Sequence, residues 1–156
     1  MRAAIVHPRL AQASFAHAIQ LLTSGVYEGL GIKVVSFSFP YLDVELAWRK
    51  YDAKLLLRID GTDFPYRPVS GWWIAQDGTP LFQGANAVPS GLGFHVFGLE
   101  SESRCWFCFK GWREYHDHPS HQDASWASLR DIPRYSVPQL VAQLHKDLNG
   151  EGVARV

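Results

Sequence analysis

A chain of 156 residues, 47% hydrophobic and 13% aromatic, carries enough apolar surface for one core and too little length for two, which predicts a single domain over 1–156. Fifteen Lys and Arg balance fifteen Asp and Glu, and the basic residues form no run, so neither nucleic acid nor a membrane surface is expected as a partner. No stretch of eighteen apolar residues occurs and MRAAIVHPRL lacks a signal-peptide pattern, so the expectation is a cytoplasmic protein.

After Pro8, the apolar residues Leu10, Ala11, Phe15, Ala18, Ile19 and Leu22 recur at three- and four-residue steps, predicting a helix over about 9–23 that stops at Ser24-Gly25. The period then changes to two. Val35, Phe37 and Phe39 alternate with serines, Val44, Leu46 and Trp48 alternate mainly with charged residues, and Pro40-Tyr41 turns between them. A third strand over Ala53 to Asp60 aligns Leu55, Leu57 and Ile59 on one face and ends at Gly61-Thr62-Asp63. Phe64-Pro65-Tyr66-Arg67-Pro68 is too proline-rich for ladder pairing and reads as a stiff crossing before a fourth strand at Gly71-Trp72-Trp73-Ile74, turned at Asp77-Gly78. From Phe82 to Gly98 no period is sustained, which predicts irregular structure. Ser136-Val137-Pro138-Gln139 has capping-box spacing, and Leu140, Val141, Leu144 and Leu148 predict a second helix over 137–148.

The chemistry concentrates between Arg104 and Trp126, which holds both cysteines, three of the seven histidines and three of the six tryptophans. Cys105 and Cys108 are too close in sequence for a bridge that would staple a fold, since the loop closed is tiny. With His116 and His121 they have a spacing that four-ligand zinc allows. As a redox pair they are poorly suited: Trp106 and Phe107 separate them, and on an alternating strand they face opposite sides. Either cysteine as a nucleophile has His95, Glu114 and the three histidines as available partners, and either is equally at home as a buried apolar residue. Glu114, Asp117 and Asp123 interleave with the histidines, so this segment serves either as a solvated polar loop or as a proton acceptor.

The order of helix, three meander strands, proline crossing, fourth strand, irregular cysteine-bearing segment and closing helix resembles the ubiquitin-conjugating enzyme (UBC) fold over roughly residues 8–148. Phe64-Pro65-Tyr66-Arg67-Pro68 is similar to that family's Tyr-Pro-Phe-x-Pro-Pro stretch. His95 precedes Cys105 by ten positions, as the His of the family's His-Pro-Asn motif precedes its cysteine, although Val96-Phe97 follows here and the Asn is missing. Trp126 and the helix start at Ser136-Val137 resemble the features after the cysteine; the two helices that end the eukaryotic fold are absent. Cys108, Glu114, His116 and His118, in the pattern Cys-x(5)-Glu-x-His-x-His, resemble a bacterial family once labelled a metal-binding domain, found beside ubiquitin-like modifiers in anti-phage operons.

The resemblance implies an α+β UBC-like fold with an N-terminal helix, a four-stranded antiparallel meander sheet, an irregular active-site segment and a C-terminal helix. It implies an enzyme of bacterial antiviral defence whose cysteine takes a ubiquitin-like modifier from an activating enzyme as a thioester and passes it to an amine on a target, with no cofactor or metal. Cys105 is the favoured nucleophile, on the His95 spacing and because the polar stretch Glu100 to Arg104 suits exposure; Cys108 is the alternative. His95 or a backbone N–H would stand in for the missing Asn, with Glu114, His116 or His118 as proton acceptor. The faces of the first helix and the proline crossing, with Arg9, Gln12 and Arg67, would dock partners. Competing readings are a zinc-binding interaction module, a cysteine hydrolase and a catalytically silent UBC-like scaffold.

Overall fold

Alternating apolar and polar residues build the centre of the molecule, an antiparallel sheet whose four strands lie side by side in chain order: β1 (Ile32–Ser38), β2 (Tyr41–Trp48), β3 (Ala53–Asp60) and β4 (Ser70–Ile74). The structure is a computed structural model and describes residues 5–82, 87–96 and 104–156. The middle strands follow the sequence pattern closely. Leu42, Val44, Leu46 and Trp48 of β2 and Leu55, Leu57 and Ile59 of β3 point to one buried face, with Val44 opposite Leu57.

The first strand departs from the expected alternation. Its register shifts between Val34 and Ser36, so Val35 is the extra residue of a bulge. Val35 and Phe37 are exposed at 55% and 39%, and Ile32 is the β1 residue that enters the core.

The apolar stripe over 9–23 becomes two helices, α1 (Pro8–Ala18) and α2 (Gln20–Thr23), joined at Ile19. Phe15, Ile19 and Leu22 are buried, and Phe15 meets Phe37, Phe39 and Phe64 edge-on at 5.9, 6.3 and 5.8 Å. Beyond β4 come short pieces: β5 (Pro89–Ser90), β6 (Phe94–His95), β7 (Trp106–Phe107), α3 (Arg113–Asp117) and α4 (Trp126–Leu129). The 82–98 segment is thus not wholly irregular, since β6 pairs antiparallel with β7. Its residues 83–86 and 97–98 lie outside the described residues, as do 100–103 of the expected polar stretch.

The closing helix α5 (Val137–Leu148) has the predicted bounds and buries Val137, Leu140, Val141, Leu144 and Leu148 in the same core as Phe15 and the sheet. Ser136 is its N-cap residue but makes no capping side-chain bond, so the capping box is present in spacing only. His145 is buried and its Nε2 donates to the Ala47 carbonyl at 3.0 Å; burial, then Arg49, holds its pKa below the ordinary range. A last strand, β8 (Ala154–Arg155), pairs with β5, an element the sequence pattern did not announce. Among the described residues no helix is long and apolar enough to cross a membrane.

Sheet and cysteine segment meet at Gly71. A Cβ there would stand 2.7 Å from Trp112 Cζ3 and 2.8 Å from Phe107 Cζ, both in fully buried rings. Gly71→Ala is therefore expected to cost about 1–3 kcal/mol by overpacking. Urea unfolding measures the loss, and a variant as stable as wild type would contradict this packing.

Candidate functional site

Pairing of β6 with β7 decides which side each cysteine faces. His95 lies opposite Trp106 and Phe94 opposite Phe107, and the His95 ring stacks on Trp106 at 4.4 Å and 22°. Phe94 and Phe107 are buried on the other side, and Cys105 goes in with them. The expected exposure of Cys105 is not found: it is 0% exposed, its thiol lies 3.5 Å from the Val96 carbonyl, and burial pushes its pKa up. Arg104, expected in a polar exposed stretch, is buried too. The ten-residue spacing thus places His95 against Trp106, with Cys105 directed to the opposite side.

Cys108 comes out on the accessible side, half-buried, with its N–H bonded to the Gly93 carbonyl at 2.9 Å. Its Sγ lies 3.1 Å from His121 Nε2. Burial, and secondarily the nearby Glu114 charge, pushes the thiol up to about 11. At neutral pH this is a neutral thiol with an imidazole nitrogen at hydrogen-bonding distance. Both cysteines are free thiols.

The chain reaches this pairing by a tight return. Gly111, at φ +100, turns the backbone where a Cβ would meet Leu140 Cδ2 at 2.5 Å, and α3 begins two residues later. Bonds from His118 N–H to the Tyr115 carbonyl and from His121 N–H to the His118 carbonyl fold the segment back. The His121 ring then lies on Tyr115, with centroids 4.0 Å apart and planes 17° off parallel.

The three expected proton acceptors are engaged elsewhere. Glu114 is buried and its Oε1 accepts from Ser70 Oγ at 2.6 Å, Gly71 N–H at 3.1 Å and Arg104 at 3.4 Å, which fastens α3 to β4. Burial raises its pKa, against the opposing pull of Arg104 and these donors. His116 Nε2 accepts the Gly111 N–H at 3.1 Å, and burial lowers its pKa, so this imidazole is a neutral fastener of the turn. His118 holds Ser120 through Nδ1, at 3.2 Å from its N–H and 2.7 Å from its hydroxyl, and stacks on Trp106 at 6.0 Å. The sequence names His121 as a zinc ligand and as one of three histidines available to a nucleophilic cysteine, but not among the favoured proton acceptors. The signal for its role was the Pro119-Ser120 reversal, which returns it to Tyr115.

The zinc quartet of Cys105, Cys108, His116 and His121 is not assembled, because Cys105 faces the core and His116 Nε2 is taken by a backbone N–H. Among the described residues no three His, Cys, Asp or Glu side chains form a group able to hold a metal ion. Beside His121 opens a cleft of about 340 Å³. Tyr66, Arg67 and Pro68 of the proline crossing line one side, and Asp117, Gln122 and Trp126 the other. Trp126 Nε1 donates to the Pro65 carbonyl at 2.8 Å, and Arg67 pairs with Asp117 at 3.0 Å, so the crossing is tied to the segment that carries His121.

No family model matches the chain, and no curated protein matches it in sequence.

Proposed function

We propose that this protein is a UBC-like conjugating enzyme that carries a ubiquitin-like modifier as a thioester on Cys108, with His121 as the base. The observation that carries the reading is the 3.1 Å approach of Cys108 Sγ to His121 Nε2. It is supported by the meander sheet between first and last helices, and by the proline crossing bonded to Trp126 beside the site. The arrangement favours Cys108 over Cys105 as nucleophile, since an acyl group on a sulfur with no exposed surface would have nowhere to go.

The reaction takes two steps. His121 removes the Cys108 proton as the sulfur attacks the carbonyl carbon of the thioester presented by the activating enzyme. The new C–S bond forms, the old one breaks, and the departing thiolate takes up the proton held by His121. An amine on the target then attacks the Cys108 thioester; an amide forms, the C–S bond breaks, and the proton lost by nitrogen returns through His121 to sulfur.

The high thiol pKa favours this role over a hydrolase. Hydrolytic cysteines paired with histidine are typically thiolates of depressed pKa, whereas the Cys108 thiol is pushed up to about 11. Water and amine displace the same sulfur, so transfer rather than hydrolysis rests on a positioned amine. Such a carrier suits a conjugation pathway of bacterial antiviral defence, as the sequence resemblance implies.

The test combines the protein with a cognate activating enzyme, modifier and ATP on a non-reducing gel, followed by peptide mapping. The expected result is an adduct cleaved by thiol and mapped to Cys108. No adduct in the presence of a demonstrably charged activating enzyme would refute the proposal.

A further inference from the structure

His121 lies outside any helix or strand, after α3, yet its ring nitrogen is held within hydrogen-bonding reach of one sulfur atom. A residue so placed keeps that geometry only if something outside the pair fixes the ring. Three side chains do so. Tyr115, on α3, lies flat under the imidazole at 4.0 Å. Its hydroxyl donates to Asp123 Oδ1 at 2.8 Å, and Asp123 Oδ2 accepts from Lys110 Nζ at 2.7 Å. Lys110 is two residues past Cys108, and Asp123 is two residues past His121. The chain is therefore clasped across the open end of the turn, just beyond both reacting groups, with the Tyr115 ring as the plate on which the base rests.

We infer that Tyr115, Asp123 and Lys110 are positioning residues that hold His121 at the Cys108 sulfur; this rests on the reading of that pair as nucleophile and base. Bonds from Lys110 and Tyr115 hold the Asp123 carboxyl well below the usual range, at about 2, so the clasp stays ionised through the neutral range. His118, also titratable, is tilted against the His121 ring at 5.3 Å, and Arg67, His116 and Asp117 line the same cleft. An exposed ion pair adds little to stability, so opening the clasp leaves the fold intact while freeing the base.

The test is ¹⁵N NMR of histidine-labelled protein together with the charging rate. Cys108→Ala defines the His121 Nε2 resonance with no sulfur partner. In Asp123→Ala and Tyr115→Leu the resonance moves from the wild-type position toward that reference, and charging slows about tenfold to a hundredfold through misplacement of the base. Tyr115→Phe, which keeps the ring, stays nearer wild type than Tyr115→Leu. A His121 resonance unmoved in a folded Asp123→Ala protein would overturn the inference, whatever becomes of Tyr115→Leu. Because the NMR readout needs no activating enzyme, a resonance that responds in a protein that never forms an adduct would keep the clasp and sink the conjugation reading.

Discussion

Cys108→Ala is expected to form no thioester at all, while Cys105→Ala charges at close to the wild-type rate. The two sulfurs lie three residues apart in sequence but on opposite sides of β7, one enclosed beside the Val96 carbonyl and one against His121. His121→Ala separates base from nucleophile. With the thiol pushed up to about 11, about one molecule in ten thousand is a thiolate at pH 7, so charging depends on a base that takes the proton during attack. Its removal is expected to slow charging by about two to four powers of ten at pH 7. In the variant the rate should then climb about tenfold per pH unit toward pH 11, following the thiolate, whereas the wild-type profile is flatter. Single-turnover charging from pH 7 to 10 measures this. Parallel profiles in the two proteins would remove His121 from the proton path.

Glu114→Ala is expected to cost about 3 kcal/mol of stability, because a buried ion pair loses one partner and Ser70 Oγ and Gly71 N–H lose their acceptor at the same moment. Glu114→Gln retains an acceptor oxygen and is expected to be much milder. The pH dependence has a definite sign. Burial raises the folded-state pKa of Glu114 above its unfolded value, so its stabilising contribution is complete below the unfolded value and is lost as pH rises through the raised one. Glu114→Gln has no such group and should gain on the wild type as pH rises from about 4 toward 8. Urea unfolding at the two ends of that range tests it; a constant difference would mean that burial does not perturb this carboxyl.

Legibility in the sequence followed the range of the interaction that decides each feature. Val44 to Trp48 and Leu55 to Ile59 could be read because one strand's alternation is settled by burial of its own residues, and α5 because the stripe of Leu140, Val141, Leu144 and Leu148 needs only some apolar surface to meet. Val35 could not, since a bulge is a relation between two strands, and one extra residue reverses the faces that follow. Cys105 is misplaced for the same reason: the residues before it in sequence are polar, but pairing of β7 with β6 turns it inward. Glu114 and His116 lie where a proton acceptor was sought, yet contacts with Ser70, Gly71 and Gly111 make them fasteners.

The sequence by itself determined an α+β architecture around a four-stranded antiparallel sheet, the order of the two main helices and those four strands, and the segment in which sulfur and imidazole are concentrated, because periodicity, turn residues and composition act locally. Only the tertiary structure decided which cysteine meets which histidine. That choice rests on strand register, on a turn closed by backbone bonds and on stacking between residues that periodicity does not relate, and each of these exists only once the chain has folded back on itself.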